Sequence, residues 1–358
     1  MRASFLAILY LLLGCLCVHA APLKPDESVL IFPTIGWQTT NGWEIDVHGL
    51  VFEPHAHKII TRVLRRSLGI DEEELKPGED KLFAERARYF MVDNERRKQL
   101  TIRFGARTAT LSPTPANGHF HARFVFSTDS LGAAGISGAL SNGVLEIATV
   151  SENKKVRQFH GQVFLVASNG ISVISDIDDT IKISQVTNRH ELIRNTFLRP
   201  FQGVPGMADV YQSWSTNSGA KFHYLSASPW QLYEPLSDFL HTNHFPEGTF
   251  HLKQFRFKDR TFFDLFQSPQ NYKPRVIGDL LERFPNRRFV LVGDSGEKDP
   301  EIYGALARKY PGQISKIFIR DVTGEPTGSV RYKSAFSDIS VSKWQVFRKS
   351  SEIVNSIP

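Results

Sequence analysis

The sequence predicts two structural units, a mainly β unit followed by an α/β unit with a largely parallel sheet. From about residue 28 to 168, apolar and polar positions alternate between frequent turn signals. After the turn Asn169-Gly170, apolar strands near 171–175, 221–225, 249–254, 289–292 and 314–319 alternate with helical segments. That alternation is typical of a parallel sheet with helices on both faces. At 358 residues the chain has room for two domains with separate cores.

The first unit is predicted to be a β-sandwich of the immunoglobulin-like type. Its clearest strand follows the turn Asn117-Gly118, where apolar residues at positions 120, 122, 124 and 126 alternate with more polar ones. One face of the sheet is therefore expected to be aromatic and the other mostly exposed to solvent. Further strands are expected at 144–147 and 162–166, and helical insertions at about 57–67 and 80–89.

Prolines and a final apolar segment complete the α/β unit. Pro229 and Pro300 stand where first-turn prolines are favoured, and Ser228 and Asp299 precede them as candidate N-caps. Pro205 is expected to begin a helix in the same way. Residues 342–357 are predicted to form a C-terminal helix that packs back onto the body, or a tail.

The first twenty residues have the features of a secretory signal peptide. A short positive start, an apolar run over 5–13 and a small-residue site ending at Ala20 support that interpretation. The run is too short for a comfortable membrane span. Leu12-Leu13-Gly14-Cys15 could instead be a lipoprotein box that anchors the chain through Cys15. We expect a secreted or periplasmic protein with units at 21–168 and 169–341 and a helix or tail at 342–358.

Cysteine content and charge limit the possible chemistry. Cleavage after Ala20 would remove Cys15 and Cys17, the two cysteines, so any metal must bind oxygen or imidazole ligands. The net charge is +6, and loss of Arg2 leaves 42 basic against 37 acidic residues, a net charge of +5. This excess suits an anionic surface or substrate. No nucleic-acid-binding motif accompanies it, so we expect no nucleic-acid partner.

An acidic motif follows the first apolar strand of the α/β unit. Asp176-Ile177-Asp178-Asp179-Thr180 comes directly after the strand at 171–175. Ligands in open α/β sheets bind at the carboxyl ends of strands, so carboxylates there favour a bound cation. A solvated acidic turn is the competing interpretation.

Further polar residues at later strand ends decide between these interpretations. Ser226 closes the strand at 221–225, Lys273 begins a helical run, and Asp294 ends the strand at 289–292, with Asp299 just beyond. This order of residues favours metal-assisted phosphoryl chemistry: an acid pair, then a hydroxyl, a lysine and a further acid. If Asp176 and Asp294 lie side by side, their repulsion is costly unless a cation bridges them, and hard oxygen ligands suit Mg²⁺ better than zinc.

These four elements resemble the motifs of the haloacid dehalogenase superfamily of phosphohydrolases. Longer strings, SDIDDTIK at 175–182, YLSASPW at 224–230 and GDSGEKDPEIY at 293–303, resemble the actin-patch phosphatidate phosphatase family, distant relatives of the lipins. The resemblance covers about residues 170–321 and extends more faintly upstream. It implies a haloacid-dehalogenase-like Rossmannoid parallel sheet. It also implies Mg²⁺-dependent hydrolysis of phosphatidate, an anionic phospholipid at a membrane surface, to diacylglycerol and phosphate.

The resemblance also implies a role for each motif residue. Asp176 would attack phosphorus to form an aspartyl-phosphate and would bind the metal. Asp178 would protonate the leaving oxygen, then activate water, and its backbone carbonyl would be a further metal ligand. This double role leads us to expect a raised pKa for Asp178. Thr180 would fix the loop.

The remaining roles concern the phosphoryl group and the metal. Ser226 and Lys273 would contact the phosphoryl oxygens. Asp294 would bind the metal and Asp299 would hold a metal-bound water. Two alternatives stay open: Ser226 could cap a helix, although Ser228 is better placed, and Lys273 could be a solvated loop lysine.

Other polar residues have weaker claims to the site. Lys253 or Lys258 could replace Lys273, and Asp179 is expected to be a bystander. Arg194 and Arg199 are expected at the surface rather than facing a phosphate. The histidines suggest a zinc cluster only weakly, because His-x-His on a strand is typical of an alternating polar face; they are His48, His55, His57, His119 and His121.

The substrate is less constrained than the chemistry. The stretch 181–221 has room for helices but not for a large separate cap, which favours a bulky or interfacial substrate. Residues 255–266 interleave aromatic and basic residues, as a lipid-contacting segment or a buried core segment would. Two other functions remain: a secreted phosphatase for a soluble phosphomonoester, and a non-catalytic phosphatidate-sensing module. The intact aspartates disfavour the sensing module.

Overall fold

A computed structural model describes residues 20–54, 58–151, 153–254 and 271–353, together with residues 355 and 357. Most of the predicted leader, both cysteines, and the aromatic and basic segment at 255–266 lie outside these residues. In the described part of the chain, no helix combines the length and apolar character needed to cross a bilayer.

The first unit is mainly β, as predicted. Its described strands are β1 (Ser28–Ile31), β2 (Thr34–Thr39), β3 (Gly42–Glu53), β4 (Asp93–Asn94), β5 (Thr101–Phe104), β6 (Arg107–Thr110), β7 (His119–Ser127), β8 (Val144–Val150) and β9 (His160–Val166). Helices α1 (Lys58–Ser67), α2 (Glu79–Ala87) and α3 (Ile136–Ala139) interrupt them, the first two where they were predicted.

These strands form one hydrogen-bonded sheet over the described residues. The long strand β3 pairs with β1, β2 and β7, and β2 continues the sheet through a parallel pairing with β9. The order then runs β9-β8-β5-β6. Apolar residues from both ends of this sheet share one core, in which Ile45 of β3 and Val163 of β9 are fully buried. The immunoglobulin-like type of the unit stays a prediction.

The second unit is built on a parallel sheet, as predicted. Its strands are β10 (Gly170–Asp176), β11 (Lys221–Pro229), β12 (Gly248–Lys253), β13 (Arg287–Asp294), β14 (Ile314–Arg320) and β15 (Trp344–Phe347). Their order is β12-β11-β10-β13-β14-β15, and every neighbouring pair is parallel. Strand β10 therefore lies between the strands that carry the serine and the second aspartate motif.

The central strands are nearly continuous apolar runs because both faces of the sheet are covered. Two serines in β10 are exceptions, and both have partners. Ser172 accepts a hydrogen bond from Arg287 Nε at 2.9 Å, and Ser175 Oγ lies 2.8 Å from the Tyr211 hydroxyl. Because these buried hydroxyls have hydrogen-bond partners in the protein, they avoid the free-energy cost of losing their hydrogen bonds to water.

Helices alternate with these strands over the described residues: α4 (Arg189–Phe197), α5 (Met207–Ser218), α6 (Tyr233–Thr242), α7 (Tyr272–Arg283), α8 (Asp299–Lys309) and α9 (Val330–Ala335). The predicted N-caps were wrong. Asp299 is the first residue of α8 rather than its cap, and β11 continues through Ser228 to Pro229. Pro205 lies two residues before α5, whose N-cap is Gly206.

The predicted C-terminal helix was also wrong. Residues 344–347 form β15, which extends the parallel sheet beside β14, with short 3₁₀ turns on either side. Trp344 and Val346 are partly buried against the core, and Phe347 is 1% exposed. Apolar spacing alone does not separate a strand from a helix in so short a segment.

Replacing Phe347 by alanine should therefore destabilise the protein. Loss of a buried phenyl ring leaves a cavity, and we expect the free energy of unfolding to fall by about 3–5 kcal/mol. Val341→Ala is the matched control, because Val341 is 81% exposed and should change stability by less than about 0.5 kcal/mol. Denaturant unfolding measures both. Equal stabilities would show that β15 is not part of the core.

The β unit has one core of its own, but a second apolar cluster is shared by the two units. Phe32 of the β unit lies 4.2 Å from Trp230 of the α/β unit, measured between ring centroids. Both belong to one apolar cluster that also contains residues of α2, α4 and α5. A buried ion pair adds to the contact, since Arg194 of α4 lies 3.2 Å from Glu79 of α2. The expectation of separate cores therefore holds for only part of the apolar interior.

Candidate active site

The strand-end motifs converge at one edge of the parallel sheet. Asp176 of β10 is in register with Leu225, next to Ser226, and Ser175 is in register with Val292 of β13. Since parallel strands end at the same edge, Asp176, Ser226 and Asp294 are brought together. All three are almost completely buried.

Lys273 joins these residues from the first turn of α7. Its ammonium lies 2.8 Å from Asp176 Oδ1, 2.7 Å from Asp299 Oδ1 and 2.7 Å from Glu297 Oε2. The lysine is 1% exposed. Burial disfavours its charged form, but the carboxylates of Asp176, Asp299 and Glu297 outweigh burial and hold the Lys273 pKa well above its usual value. The solvated-loop alternative for Lys273 is therefore wrong.

Asp178 accepts four side-chain hydrogen bonds. Its Oδ1 accepts from Lys182 Nζ at 2.8 Å and Ser184 Oγ at 2.7 Å. Its Oδ2 accepts from Ser226 Oγ at 3.0 Å and Ser228 Oγ at 3.2 Å. Ser228 is thus a site residue rather than a helix cap, and Ser226 does not act as a cap either.

The pKa of Asp178 shifts in the direction opposite to the one expected. Burial raises it, but the Lys182 ammonium and the hydrogen bonds from Lys182, Ser184 and Ser226 outweigh burial and lower it to about 2. Asp178 is therefore ionised at neutral pH in this state. Sequence reasoning missed Lys182, although it lies within the string at 175–182 and four residues after Asp178.

Replacing Lys182 by glutamine should raise the Asp178 pKa by about one unit or more, because an adjacent cation typically lowers a carboxyl pKa by about 1–3 units. Glutamine keeps a donor but removes the charge. A ¹³C titration of the Asp178 carboxyl carbon measures the change. Lys333→Gln, an exposed change on α9, is the control. An unchanged Asp178 titration in Lys182→Gln would refute the assigned cause.

Asp179 is not the expected bystander. Its backbone has φ 54°, and its Oδ1 accepts hydrogen bonds from the backbone N–H groups of Ser184 at 2.8 Å and Gln185 at 2.9 Å. Its Oδ2 accepts from Val186 N–H at 2.6 Å. Asp179 therefore orders the loop after β10. Thr180 completes it by donating to Asp176 Oδ2 at 3.0 Å, which agrees with its predicted positioning role.

The carboxyl end of β13 carries the second acidic group. Asp294 Oδ1 accepts from Gly296 N–H at 2.6 Å and Glu297 N–H at 3.1 Å. Asp299 approaches the strand so closely that a Cβ on Gly293 would stand 2.3 Å from Asp299 Oδ2, which explains the glycine in the motif. Glu297 was missed, although it lies within the string at 293–303.

The acidic residues have the electrostatics of a cation site. Asp294 Oδ2 is buried and has no hydrogen-bond partner among the described residues. Burial, followed by repulsion from Asp299 and Glu297, raises the pKa of Asp294 well above its usual value. Burial also raises the pKa of Asp176, although Lys273 opposes the shift. A divalent ion bound to the open oxygen of Asp294 would relieve this repulsion, so the donor set fits a hard cation.

The remaining candidates lie elsewhere. Arg194 is buried against Glu79, which corrects its expected surface position, and Arg199 is half-buried beside Glu191. Lys253 is buried at the end of β12; Lys258 lies outside the described residues. His48, His119 and His121 lie together in the β unit, whereas His55 and His57 lie outside the described residues.

Comparison with known proteins places this site in a class. Residues 171–321 match the family "Phosphatidate phosphatase APP1, catalytic domain". The chain is 39% identical over 158 residues to "Phosphatidate phosphatase APP1" of Saccharomyces cerevisiae, covering 43% of this chain and 26% of that protein. It is 31% identical over 196 residues to "Uncharacterized protein C29B5.04c" of Schizosaccharomyces pombe, covering 54% of this chain and 32% of that protein. The chain thus spans about a quarter to a third of these relatives.

Solved structures add little to this comparison. A putative β-phosphoglucomutase from Thermotoga maritima aligns with a TM-score of 0.32 at 12% identity, covering 51% of this chain and 96% of that one. A flavohemoglobin from Malassezia yamatoensis aligns with a TM-score of 0.19 at 8% identity, covering 82% of this chain and 60% of that one. Such low similarity supports no further conclusion.

The candidate site lies within the segment that matches a phosphatidate phosphatase catalytic domain. The resemblance inferred from the motif strings is confirmed by this match, which covers residues 171–321 and includes all three strings. The family suggests dependence on a divalent metal, and the acidic group Asp176, Glu297 and Asp299 is consistent with it.

Proposed function

We propose that the protein is a Mg²⁺-dependent phosphatidate phosphatase that releases phosphate and diacylglycerol through an aspartyl-phosphate. The observation that carries this proposal is the buried strand-end pair Asp176 and Asp294, with Lys273 on one side and an unpartnered Asp294 oxygen on the other. The matched family supports phosphatidate as the substrate.

The carboxylates of Asp176 and Asp294 and the backbone carbonyl of Asp178 would hold Mg²⁺, with Asp299 holding a metal-bound water. The ion would supply positive charge that lets an anionic phosphate approach a carboxylate. The ammonium of Lys273 now contacts three carboxylates, and one of its N–H groups would exchange the Glu297 carboxylate for a phosphoryl oxygen. Ser226 would likewise contact a phosphoryl oxygen with its hydroxyl, which now donates to Asp178. These donors would stabilise charge on the transferred group.

Asp178 is the candidate acid and base. In the first step an Asp176 oxygen bonds to phosphorus, the ester bond breaks, and the leaving oxygen takes a proton from Asp178. In the second step a water oxygen bonds to phosphorus, the bond between phosphorus and Asp176 breaks to release phosphate and restore the carboxylate, and the water proton passes to Asp178. With its pKa at about 2, Asp178 must acquire the first proton when the substrate binds. That proton would come from the monoanion of the substrate phosphate.

We also propose that the enzyme acts at a membrane surface. The stretch 181–221 forms α4 and α5, whose apolar residues, among them Phe197 and Trp214, pack into the core rather than forming a separate cap. The aromatic and basic sequence at 255–266 lies outside the described residues. Its flanks, the end of β12 and the start of α7, both lie at the edge that carries the motifs.

The substrate test compares phosphate release from phosphatidate in mixed micelles with release from soluble monoesters, with and without Mg²⁺. We expect a kcat/KM for phosphatidate about tenfold or more above that for soluble esters, and no activity after chelation. Faster turnover of soluble esters would favour the alternative of a soluble phosphomonoesterase. Binding of phosphatidate without turnover would favour the sensing module.

Two further proposals concern the rest of the chain. An immunoglobulin-like type for the β unit is supported by two pairing orders, β1-β3-β7 and β5-β8-β9, which match strands A-B-E and C-F-G of that fold. Export through the predicted leader is supported by its composition alone. N-terminal sequencing of protein recovered from outside the producing cell should give Ala21 first. A start at Cys15 would instead indicate a lipoprotein.

A further inference from the structure

Three histidines of the β unit meet on one face of its sheet. In the antiparallel pair β3 and β7, His48 is directly opposite His121, and His119 is opposite Leu50. Side chains two residues apart on a strand share a face, so His119 and His121 lie on the same side as His48. The sequence suggested only an alternating polar face here.

The spacing of the imidazole nitrogens suits a metal ion. His48 Nε2 lies 3.0 Å from His119 Nδ1, and one ring nitrogen from each of the three histidines lies within 4.8 Å of the others. The His48 and His121 rings stack with centroids 3.7 Å apart. Tetrahedral zinc with Zn–N bonds of about 2.0–2.1 Å separates its ligand nitrogens by about 3.4 Å. Small side-chain shifts would therefore seat an ion.

The surroundings hold two of the rings rigidly. His48 and His119 are buried, and Trp230 and Phe32 pack against His48 with centroids 4.6 Å and 4.7 Å away. Burial, followed by the neighbouring His121 and His119, lowers the pKa of His48 well below its usual value.

The third ring opens onto a cavity between the two units. This cavity has a volume of about 1100 Å³, and His48 and His121 line it together with Arg123, Arg275 and Arg283. His121 is exposed, and its Nε2 lies 2.9 Å from Gln254 Nε2. None of the carboxylates of the candidate active site lines this cavity, so the histidines form a separate location.

We propose that His48, His119 and His121 bind a zinc ion that keeps one coordination position open to this cavity. Three imidazoles with an open fourth position hold zinc together with a water or an anionic ligand. Arg123 and Arg283 on the cavity wall are paired with Asp46, so Arg275 would attract an anion there. The ion would also link β3 to β7 at the face that packs against the α/β unit.

The test measures metal binding by the full chain purified without a polyhistidine tag. Excess Mg²⁺ is kept present throughout, so that the carboxylate cluster does not contribute. Zn²⁺ affinity is measured by competition with a chromogenic chelator, and Co²⁺ reports the geometry through its visible absorption. We expect one Zn²⁺ per chain with a Kd of about 1 µM or below, and the intense bands of tetrahedral Co²⁺. Zn²⁺ at about a hundred times its Kd should raise Tm by about 5 °C.

The variants separate the cluster from other histidines. His121→Asn changes an exposed residue and should fold normally, yet lower Zn²⁺ affinity at least about tenfold; His48→Asn should abolish tetrahedral binding. His241→Asn, on the exposed side of α6, should bind Zn²⁺ as the unmodified chain does. Absence of Zn²⁺ binding by the unmodified chain, or unchanged binding in His121→Asn and His48→Asn, would overturn the proposal. Asp176→Asn should keep Zn²⁺ binding, so the proposed phosphatase activity can fail independently.

Discussion

Asp176→Asn is expected to lower kcat/KM for phosphate release by at least about 10³-fold, because loss of an attacking nucleophile removes the covalent route. Asparagine has almost the same shape: its amide oxygen can still accept from Lys273, and its amide nitrogen can donate to the Thr180 hydroxyl. The fold should therefore survive. Activity is measured with phosphatidate micelles at saturating Mg²⁺.

Asp238→Asn is the matched control for this change. Asp238 is exposed on α6, so the variant loses the same charge far from the motifs and should retain full activity. Circular dichroism and Tm establish that both variants are folded. Retention of activity in folded Asp176→Asn would exclude Asp176 as the nucleophile and with it the proposed reaction sequence.

Lys273→Met is expected to destabilise the protein by about 3–5 kcal/mol, since removing one partner of a buried ion pair leaves uncompensated charge. Three carboxylates, those of Asp176, Glu297 and Asp299, lose their shared cation. Activity should also be lost, because a phosphoryl-binding charge is removed. Denaturant unfolding at pH 7 in the presence of chelator measures the stability change.

The stability of Lys273→Met should also depend on pH in a defined direction. The folded-state pKa values of Asp176 and Glu297 are raised already with Lys273 present, chiefly by burial. A carboxyl group whose pKa is higher in the folded than in the unfolded state favours folding most when pH is below its unfolded-state pKa. That contribution is lost as pH rises through its folded-state pKa. The difference in the free energy of unfolding between the unmodified protein and Lys273→Met should therefore shrink from pH 7 toward pH 4. Lys333→Met, an exposed change on α9, should show no such trend, and a constant difference for Lys273→Met would contradict the account.

The sequence predicted the α/β sheet and the meeting of its motifs well, for a physical reason. Buried parallel strands appear in the sequence as continuous apolar runs. Polar residues at the ends of these runs, such as Asp176 and Asp294, are therefore easy to recognise. Because parallel strands end at one edge, their order along the chain also predicts their meeting in space. The position of Lys273 followed from the same motif order.

The features that the sequence did not predict depend on three-dimensional contacts, which the spacing of residues along the chain does not determine. Lys182 and Asp179 act within a short loop whose path is set by hydrogen bonds to backbone groups. The expected rise in the Asp178 pKa failed because the Lys182 cation was not anticipated. The C-terminal segment is too short for apolar periodicity to distinguish β15 from a helix. The histidine cluster depends on how β3 and β7 are paired, which their separate sequences do not specify.

The proposed phosphatase reaction requires one divalent ion bound by both Asp176 and Asp294. Crystals soaked in Mn²⁺ in place of Mg²⁺ show whether that ion is there, through anomalous diffraction at a wavelength that identifies manganese. We expect a peak within bonding distance of both carboxylates at Mn²⁺ concentrations that support activity, and its loss in Asp294→Asn. Mn²⁺-supported activity in crystals or solution with no peak between Asp176 and Asp294 would contradict this requirement.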